Sequence, residues 1–190
     1  MANKTNNPCT VITGVCRLSF EHVWKPSKMD EDSQAKYSAS ILIPKTDATT
    51  LQKVRAAQEA AIKGGITSKW EGKKPVKLKL PLRDGDEERP DDPSYAGCYF
   101  LNATSSLKPG IVDMARQEIT DEGLVYSGCY CRFALNFYPF SVRGNKGVAA
   151  GLNCIQKVRD GERLGGGMNA KDAFDDDFID ELLEDDDDIL

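Results

Sequence analysis

The stretch Leu124-Val125-Tyr126-Ser127-Gly128-Cys129-Tyr130-Cys131-Arg132-Phe133-Ala134-Leu135-Asn136-Phe137 decides how the rest of the chain is read. Cys129, Cys131, Phe133, Leu135 and Phe137 recur with period two, and Tyr126, Tyr130, Arg132, Asn136 and Tyr138 stand on the alternate face. That period belongs to a strand, because successive side chains leave a pleated backbone on opposite sides. Gly144-Asn145-Lys146-Gly147 then reads as a tight hairpin turn, with Val148 to Val158 as the returning strand.

Upstream, Cys9 to Phe20 reads as a strand with Ile12, Cys16, Leu18 and Phe20 on one face and Thr13, Arg17 and Ser19 on the other. A polar loop from Lys25 to Gln34 separates it from a second strand, Lys36 to Ile43, closed by Pro44. Asp47 or Thr46 caps a helix predicted over about residues 48–63, with Leu51, Val54, Ala57, Ala61 and Ile62 as its buried stripe and Gly64-Gly65 as its stop. Val76-Lys77-Leu78-Lys79-Leu80 alternates with period two and predicts a strand with one strongly basic face. Gly97 to Thr104 and Ile111 to Met114 are further strands. Strands in this number with one helix and no βαβ rhythm predict a mainly β fold, a small antiparallel barrel.

The 190 residues, 40% hydrophobic and 29% charged, suit one soluble domain. No apolar run approaches the roughly 20 residues that span a bilayer, and Met1-Ala2-Asn3-Lys4-Thr5 lacks the apolar core of a signal peptide, so a cytoplasmic protein with no membrane partner is expected. Cys9, Cys16, Cys98, Cys129, Cys131 and Cys154 fall mostly in strand-like runs and are expected as reduced thiols. With His22 the only histidine and no Cys-x-x-Cys pair, neither a metal site nor another cofactor is expected. No strained nucleophile turn and no phosphate-cradling glycine loop is present, which argues against an enzyme. Asp30-Glu31-Asp32 and Asp84-Gly85-Asp86-Glu87-Glu88 keep a metal-dependent nuclease as an alternative, since magnesium ligands need not be neighbours in sequence.

Basic and aromatic residues make the stronger case. Single-stranded nucleic acid is held by cations that track phosphates and by rings on which bases stack. Trp70, Lys73, Lys74, Lys77 and Lys79 lie close together, and the long strand presents Tyr126, Tyr130, Arg132 and Tyr138 opposite its core face. Any one of these is an ordinary strand or edge residue. Their coincidence predicts a nucleic-acid groove.

The last twenty residues, Lys171 to Leu190, hold eleven of the thirty acids and one of the twenty-five Lys and Arg, a net −10. The preceding 170 residues carry 24 bases against 19 acids, a net +5. A segment so charged cannot offset its ordering entropy and is expected to be a disordered acidic tail, tethered near a basic groove as a competitor for it. Apolar residues at Phe174, Phe178, Ile179, Leu182 and Leu183 fall on one helical face, and Asp185-Asp186-Asp187-Asp188 ends in Ile189-Leu190, features that a purely solubilising tail does not need. An acidic adaptor whose body merely carries this tail is a second alternative.

From the Cys9–Phe20 strand to the tail, the chain resembles the phage-encoded single-stranded-DNA-binding proteins with an OB-fold core and an acidic C-terminal tail. The sharpest resemblance is Asp185-Asp186-Asp187-Asp188-Ile189-Leu190, although replication proteins with such endings typically finish on an aromatic residue. The resemblance implies an OB-fold domain over residues 1–160, a Gly-rich linker over 161–170 and the tail over 171–190. It also implies a non-enzymatic protein that coats single-stranded DNA in phage replication or recombination, in the host bacterial cytoplasm. Polymerase, helicase or primase would be contacted through the tail. The sequence leaves open whether the protein forms a homodimer.

Overall fold

The computed structural model describes residues 7–165, so the expectations for Phe174, Phe178 and Asp185 to Leu190 lie outside the described residues. In chain order the elements are β1 (Thr10–Ile12), β2 (Cys16–Ser27), β3 (Lys36–Pro44), α1 (Ala48–Ser68), β4 (Arg83–Asp84), the single-turn α2 (Gly85–Glu88), β5 (Cys98–Ser105), β6 (Gly110–Val112), β7 (Tyr130–Val142) and β8 (Asn145–Arg159). Five of them close a ring in the order β2, β3, β5, β8, β7 and back to β2. Every pairing in the ring is antiparallel except β5 with β8, which run parallel through Ala103↔Ala150 and Thr104↔Gly151. This is a five-stranded OB-type barrel with a helix inserted between its second and third strands. β1 lies along β7, β6 along β8 and β4 along β5.

The expected alternation in β7 holds: Cys131, Phe133, Leu135 and Phe137 point into the barrel and are essentially buried. They meet Leu18, Ile41, Ile43, Leu101 and Ile155 there, while Leu51, Val54, Ala57, Ala61 and Ile62 of α1 add the predicted stripe. Each buried Val, Leu, Ile or Phe among them stabilises the fold by about 1.5–3 kcal/mol relative to exposure. The strand starts later than the sequence reading placed it, because Val125 to Cys129 turns to meet β2, with the Gly128 amide donating to the Leu18 carbonyl at 2.7 Å. The hairpin turn is Arg143-Gly144, earlier than expected; both residues have positive φ, 48° and 78°, as a two-residue type I′ turn requires.

Other expectations are corrected. The Cys9–Phe20 strand is broken at Thr13-Gly14-Val15, so Val11 and Thr13 are buried while Ile12 is exposed. Gly14 donates its amide to Thr50 Oγ1 at 2.9 Å, and an added Cβ would meet Asp47 Oδ2 at 2.8 Å, which docks this bend on the start of α1. Asp47 caps the helix as predicted, accepting from the Thr50 amide at 3.1 Å. The helix passes through Gly64-Gly65 to Ser68, because Gly65 is where the ring of Trp70 packs: a Cβ there would lie 2.8 Å from that ring and 2.6 Å from Pro139. The Val76–Leu80 strand does not form. Pro75 and Pro81 flank the segment without amide hydrogens, and only Lys79 pairs, with its amide on the Lys146 carbonyl at 3.0 Å and its carbonyl accepting from Val148 at 2.8 Å.

Candidate nucleic-acid interface

Along β2 the burial pattern changes parity at Phe20. Leu18 is buried, Phe20 is 57% exposed, and Val23 is buried again. The cause is backbone: Phe20 has φ of 43°, and the pairing with β3 slips between Ser19 and His22. A phenylalanine in the left-handed region is uncommon and strained, and such strain is found where a side chain must be aimed at a ligand. Here it lays Phe20 against Tyr95, ring centroids 6.5 Å apart, with Tyr95 edge-on to Phe100 at 5.0 Å. The Arg89 guanidinium stands 5.6 Å from the Phe20 ring and 5.3 Å from that of Tyr95, and the Tyr95 hydroxyl meets Ser40 Oγ at 3.1 Å.

Phe20 and Arg89 open one end of a 610 Å³ cleft over the outer face of β2, β3 and β5. Its floor is Ser38, Ser40, Asn102 and Thr104, and its walls are His22, Lys36 and the loop that carries Lys28, Met29 and Ser33. Lys36 and Thr104 also line an adjoining cleft of 240 Å³, which continues onto β7 and β8 at Asn136, Tyr138 and Asn153. The result is a track with an exposed ring at each end, cations at its sides and neutral amides and hydroxyls along its floor. Rings stack on any base, cations follow phosphates, and small polar side chains satisfy base edges.

The sequence-predicted residues divide among three places. Tyr138 lies on the track, 38% exposed. Lys73, Lys74, Lys77 and Lys79 are exposed on the segment clipped to the β7–β8 hairpin, beyond Tyr138. Trp70 is corrected: it is 2% exposed, packs on Gly65, and donates Nε1 to the Phe140 carbonyl at 3.1 Å, so it is a core residue with no face for a base. Tyr126, Tyr130 and Arg132 lie outside the clefts, toward the opposite end of β7. Arg132 donates to the Thr13 carbonyl at 3.2 Å and to Gln156 Oε1 at 3.3 Å, and Tyr130 is covered by Arg159 at 3.8 Å and Arg17 at 5.6 Å.

Phe20, Arg89, Lys36 and Asn102 were missed by the sequence reading. The available signal was the break in alternation after Phe20, where Val23 takes the wrong parity for a continuous strand.

Of the acids raised for the nuclease alternative, Asp84, Asp86 and Glu88 are held in ion pairs, Glu88 with Arg83 at 3.1 Å. Asp84 and Asp86 both hold Lys45 Nζ, at 2.8 and 2.7 Å. The hydrogen bonds from that ammonium keep both carboxyls below the usual carboxylate range. Among the described residues no three His, Cys, Asp or Glu side chains are grouped to hold a metal, and no helix is long and apolar enough to cross a membrane. All six cysteines are free thiols, and burial pushes Cys16 up to about 12.

A closed five-strand barrel with this track across its second and third strands defines an OB-fold domain of the oligonucleotide-binding type. The chain belongs to the family described as the ssDNA-binding protein of Enterobacter phage Enc34, which it matches over residues 9–190. A relative from Acyrthosiphon pisum secondary endosymbiont phage 1, called putative protein p50, is 33% identical, covering 84% of this chain and 89% of the relative. Among solved structures, the single-stranded DNA-binding protein of bacteriophage Enc34 in complex with ssDNA superposes with a TM-score of 0.73 at 25% identity, covering 83% of this chain and 90% of that one. The fold also resembles gp2.5, a single-stranded DNA-binding protein of bacteriophage T7, with a TM-score of 0.58 at 15% identity over 90% of this chain and 93% of that one.

Proposed function

We propose that this protein binds single-stranded DNA with little regard to sequence, without catalysis, in phage DNA replication and recombination within the bacterial host. The observation that carries this reading is the Phe20–Tyr138 track, an open path of rings, cations and neutral polar groups on the face where OB-folds take oligonucleotides. Family membership and the solved complex of the Enc34 protein with ssDNA support the same ligand. Lys77, Lys79, Lys73 and Lys74 extend the path past the hairpin as phosphate-binding cations.

The division into a binding domain over 1–160, a linker over 161–170 and an acidic tail over 171–190 belongs to this proposal. In it the tail competes with DNA for the track and recruits polymerase, helicase or primase through Phe174, Phe178 and Asp185 to Leu190. Geometry near the end of the described chain favours competition. The Leu164 amide donates to the Ser127 carbonyl at 2.9 Å, and its side chain packs on Leu42, Tyr95 and Phe100, the last two being rings that Arg89 faces. The chain is therefore delivered toward its acidic end beside the Phe20 mouth of the track.

A mobility-shift comparison of full-length protein with a variant lacking residues 171–190 tests both parts. Full-length protein is expected to retard oligo-dT in preference to duplex. The truncated form is expected to bind more tightly, most at low salt, because a −10 segment competes best when screening is weak. Failure of the truncated protein to retain any single strand would leave the adaptor reading in its place.

A further inference from the structure

Residues 157–164 return across the turn at 126–129 and build a second cationic surface apart from the track. Arg159 lies on the Tyr130 ring at 3.8 Å and Arg163 on the Tyr126 ring at 4.2 Å. Arg17 approaches the Tyr130 ring at 5.6 Å while donating to the Gly128 carbonyl at 3.2 Å and the Glu162 carbonyl at 2.8 Å, which fixes the returning segment. Packing is close here, since a Cβ on Gly128 would collide with the Glu162 carbonyl oxygen. The neighbouring Asp160 is already engaged: it holds Lys157 at 2.6 Å and accepts from the Tyr126 hydroxyl at 3.1 Å. Those two hydrogen bonds, that from Lys157 foremost, keep its carboxyl below the usual range. Among the described residues, no carboxylate forms an ion pair with Arg159 or Arg163, and both are exposed.

A guanidinium resting on a ring is held flat, with its N–H donors directed outward in the plane, the arrangement that grips a phosphate diester through two oxygens. Along β2, Arg17 precedes Phe20 by three residues, about 10 Å of strand. A strand of DNA that passes Phe20 on leaving the track thus reaches this surface within a few nucleotides. We infer that Arg159 and Arg163, seated on Tyr130 and Tyr126, form a second nucleic-acid-binding surface that holds the phosphates of single-stranded DNA beyond the track and lengthens the binding site. The inference rests on the single-stranded-DNA reading above. It reassigns Tyr126 and Tyr130 from base platforms to supports for phosphate-binding arginines.

The test uses the full chain and the variant Arg159→Gln/Arg163→Gln, whose side chains make no hydrogen bond to the fold among the described residues. Affinities and salt dependences are measured on oligo-dT of about 6 nucleotides, sufficient for the track, and of about 30. The variant is expected to bind the short strand within twofold of the parent and the long strand about tenfold more weakly. Its salt slope on the long strand should fall by about 0.7 for each phosphate that is no longer neutralised. Equal weakening on both lengths would place the arginines in the track itself, and unchanged affinity on both would leave them as supports for the returning segment; each overturns the inference. Tighter binding of the long strand would mark the surface as the seat of the acidic terminus, and also overturns it. If the parent binds neither strand, the failure lies in the functional reading. Arg159→Lys/Arg163→Lys serves as a second variant, keeping the charge but removing the fork, and is expected to restore part of the long-strand affinity.

Discussion

The segment around Trp70 and the bend at Phe20 offer similar sequence, an aromatic residue among charged ones, and the fold uses them in opposite ways. Trp70 follows a helix, and its ring finds the bare backbone of Gly65 and the carbonyl of Phe140, so it is covered on all sides. Phe20 sits in a strand whose alternation assigns it to the core, yet one residue with positive φ turns it outward over the cleft. Local composition says that a ring is present; whether a base can reach it depends on the backbone and on the empty space a glycine leaves elsewhere in the chain.

The sharpest way to break this comparison is to truncate both rings. Trp70→Ala is expected to destabilise the protein by about 3–5 kcal/mol in urea unfolding, as the loss of a fully packed aromatic does. The protein that remains folded should bind oligo-dT as before. Phe20→Ala is expected to change stability by less than about 1 kcal/mol and to weaken oligo-dT binding by about 1–3 kcal/mol, the value of one stacked base. If the two phenotypes were exchanged, the assignment of core and interface would be reversed.

A smaller effect sharpens the role of the neighbouring lysines. Lys77→Ala/Lys79→Ala is expected to weaken binding several-fold at low salt and scarcely at high salt, with the salt slope reduced by about 0.7 for each phosphate left without its cation. The clip between Lys79 and the hairpin is made by backbone atoms, so thermal stability should stay close to that of the parent. A weakening that ignores salt would show the lysines to be acting on structure instead.

Much of the barrel was legible because β7 alternates over Cys131 to Phe137 and because β3 and β5 carry the apolar runs Ile41-Leu42-Ile43 and Tyr99-Phe100-Leu101. Cys131 to Phe137, Lys36 to Pro44 and Cys98 to Ser105 each pair over long registers, and the stripe of α1 announces its buried face. The candidate track was less legible for reasons that lie in particular residues. Phe20 reverses parity through its own backbone angle, and Arg89 belongs to the loop after α2, which folds back onto the outer face of β5. Asn102 and Thr104 are small polar strand residues whose importance comes only from the cleft above them. The basic alternation of Lys77 and Lys79 identified exposed cations but misjudged their backbone, since the segment between Pro75 and Pro81 joins the sheet only at Lys79. Tyr126, Tyr130 and Arg132 share a strand face with Tyr138 in the sequence, but they lie toward the other end of β7, where Arg159 and Arg163 cover the two tyrosine rings.

The most direct measurement is amide and side-chain chemical-shift mapping of the full chain titrated with an oligo-dT of about 6 nucleotides. The largest changes are expected at Phe20, His22, Lys36, Ser38, Ser40, Asn102, Thr104 and Tyr138, in one contiguous band across β2, β3, β5 and β7. Changes confined to residues 69–80 or to Tyr126, Tyr130 and Arg132, with the Phe20–Tyr138 band unmoved, would contradict the account.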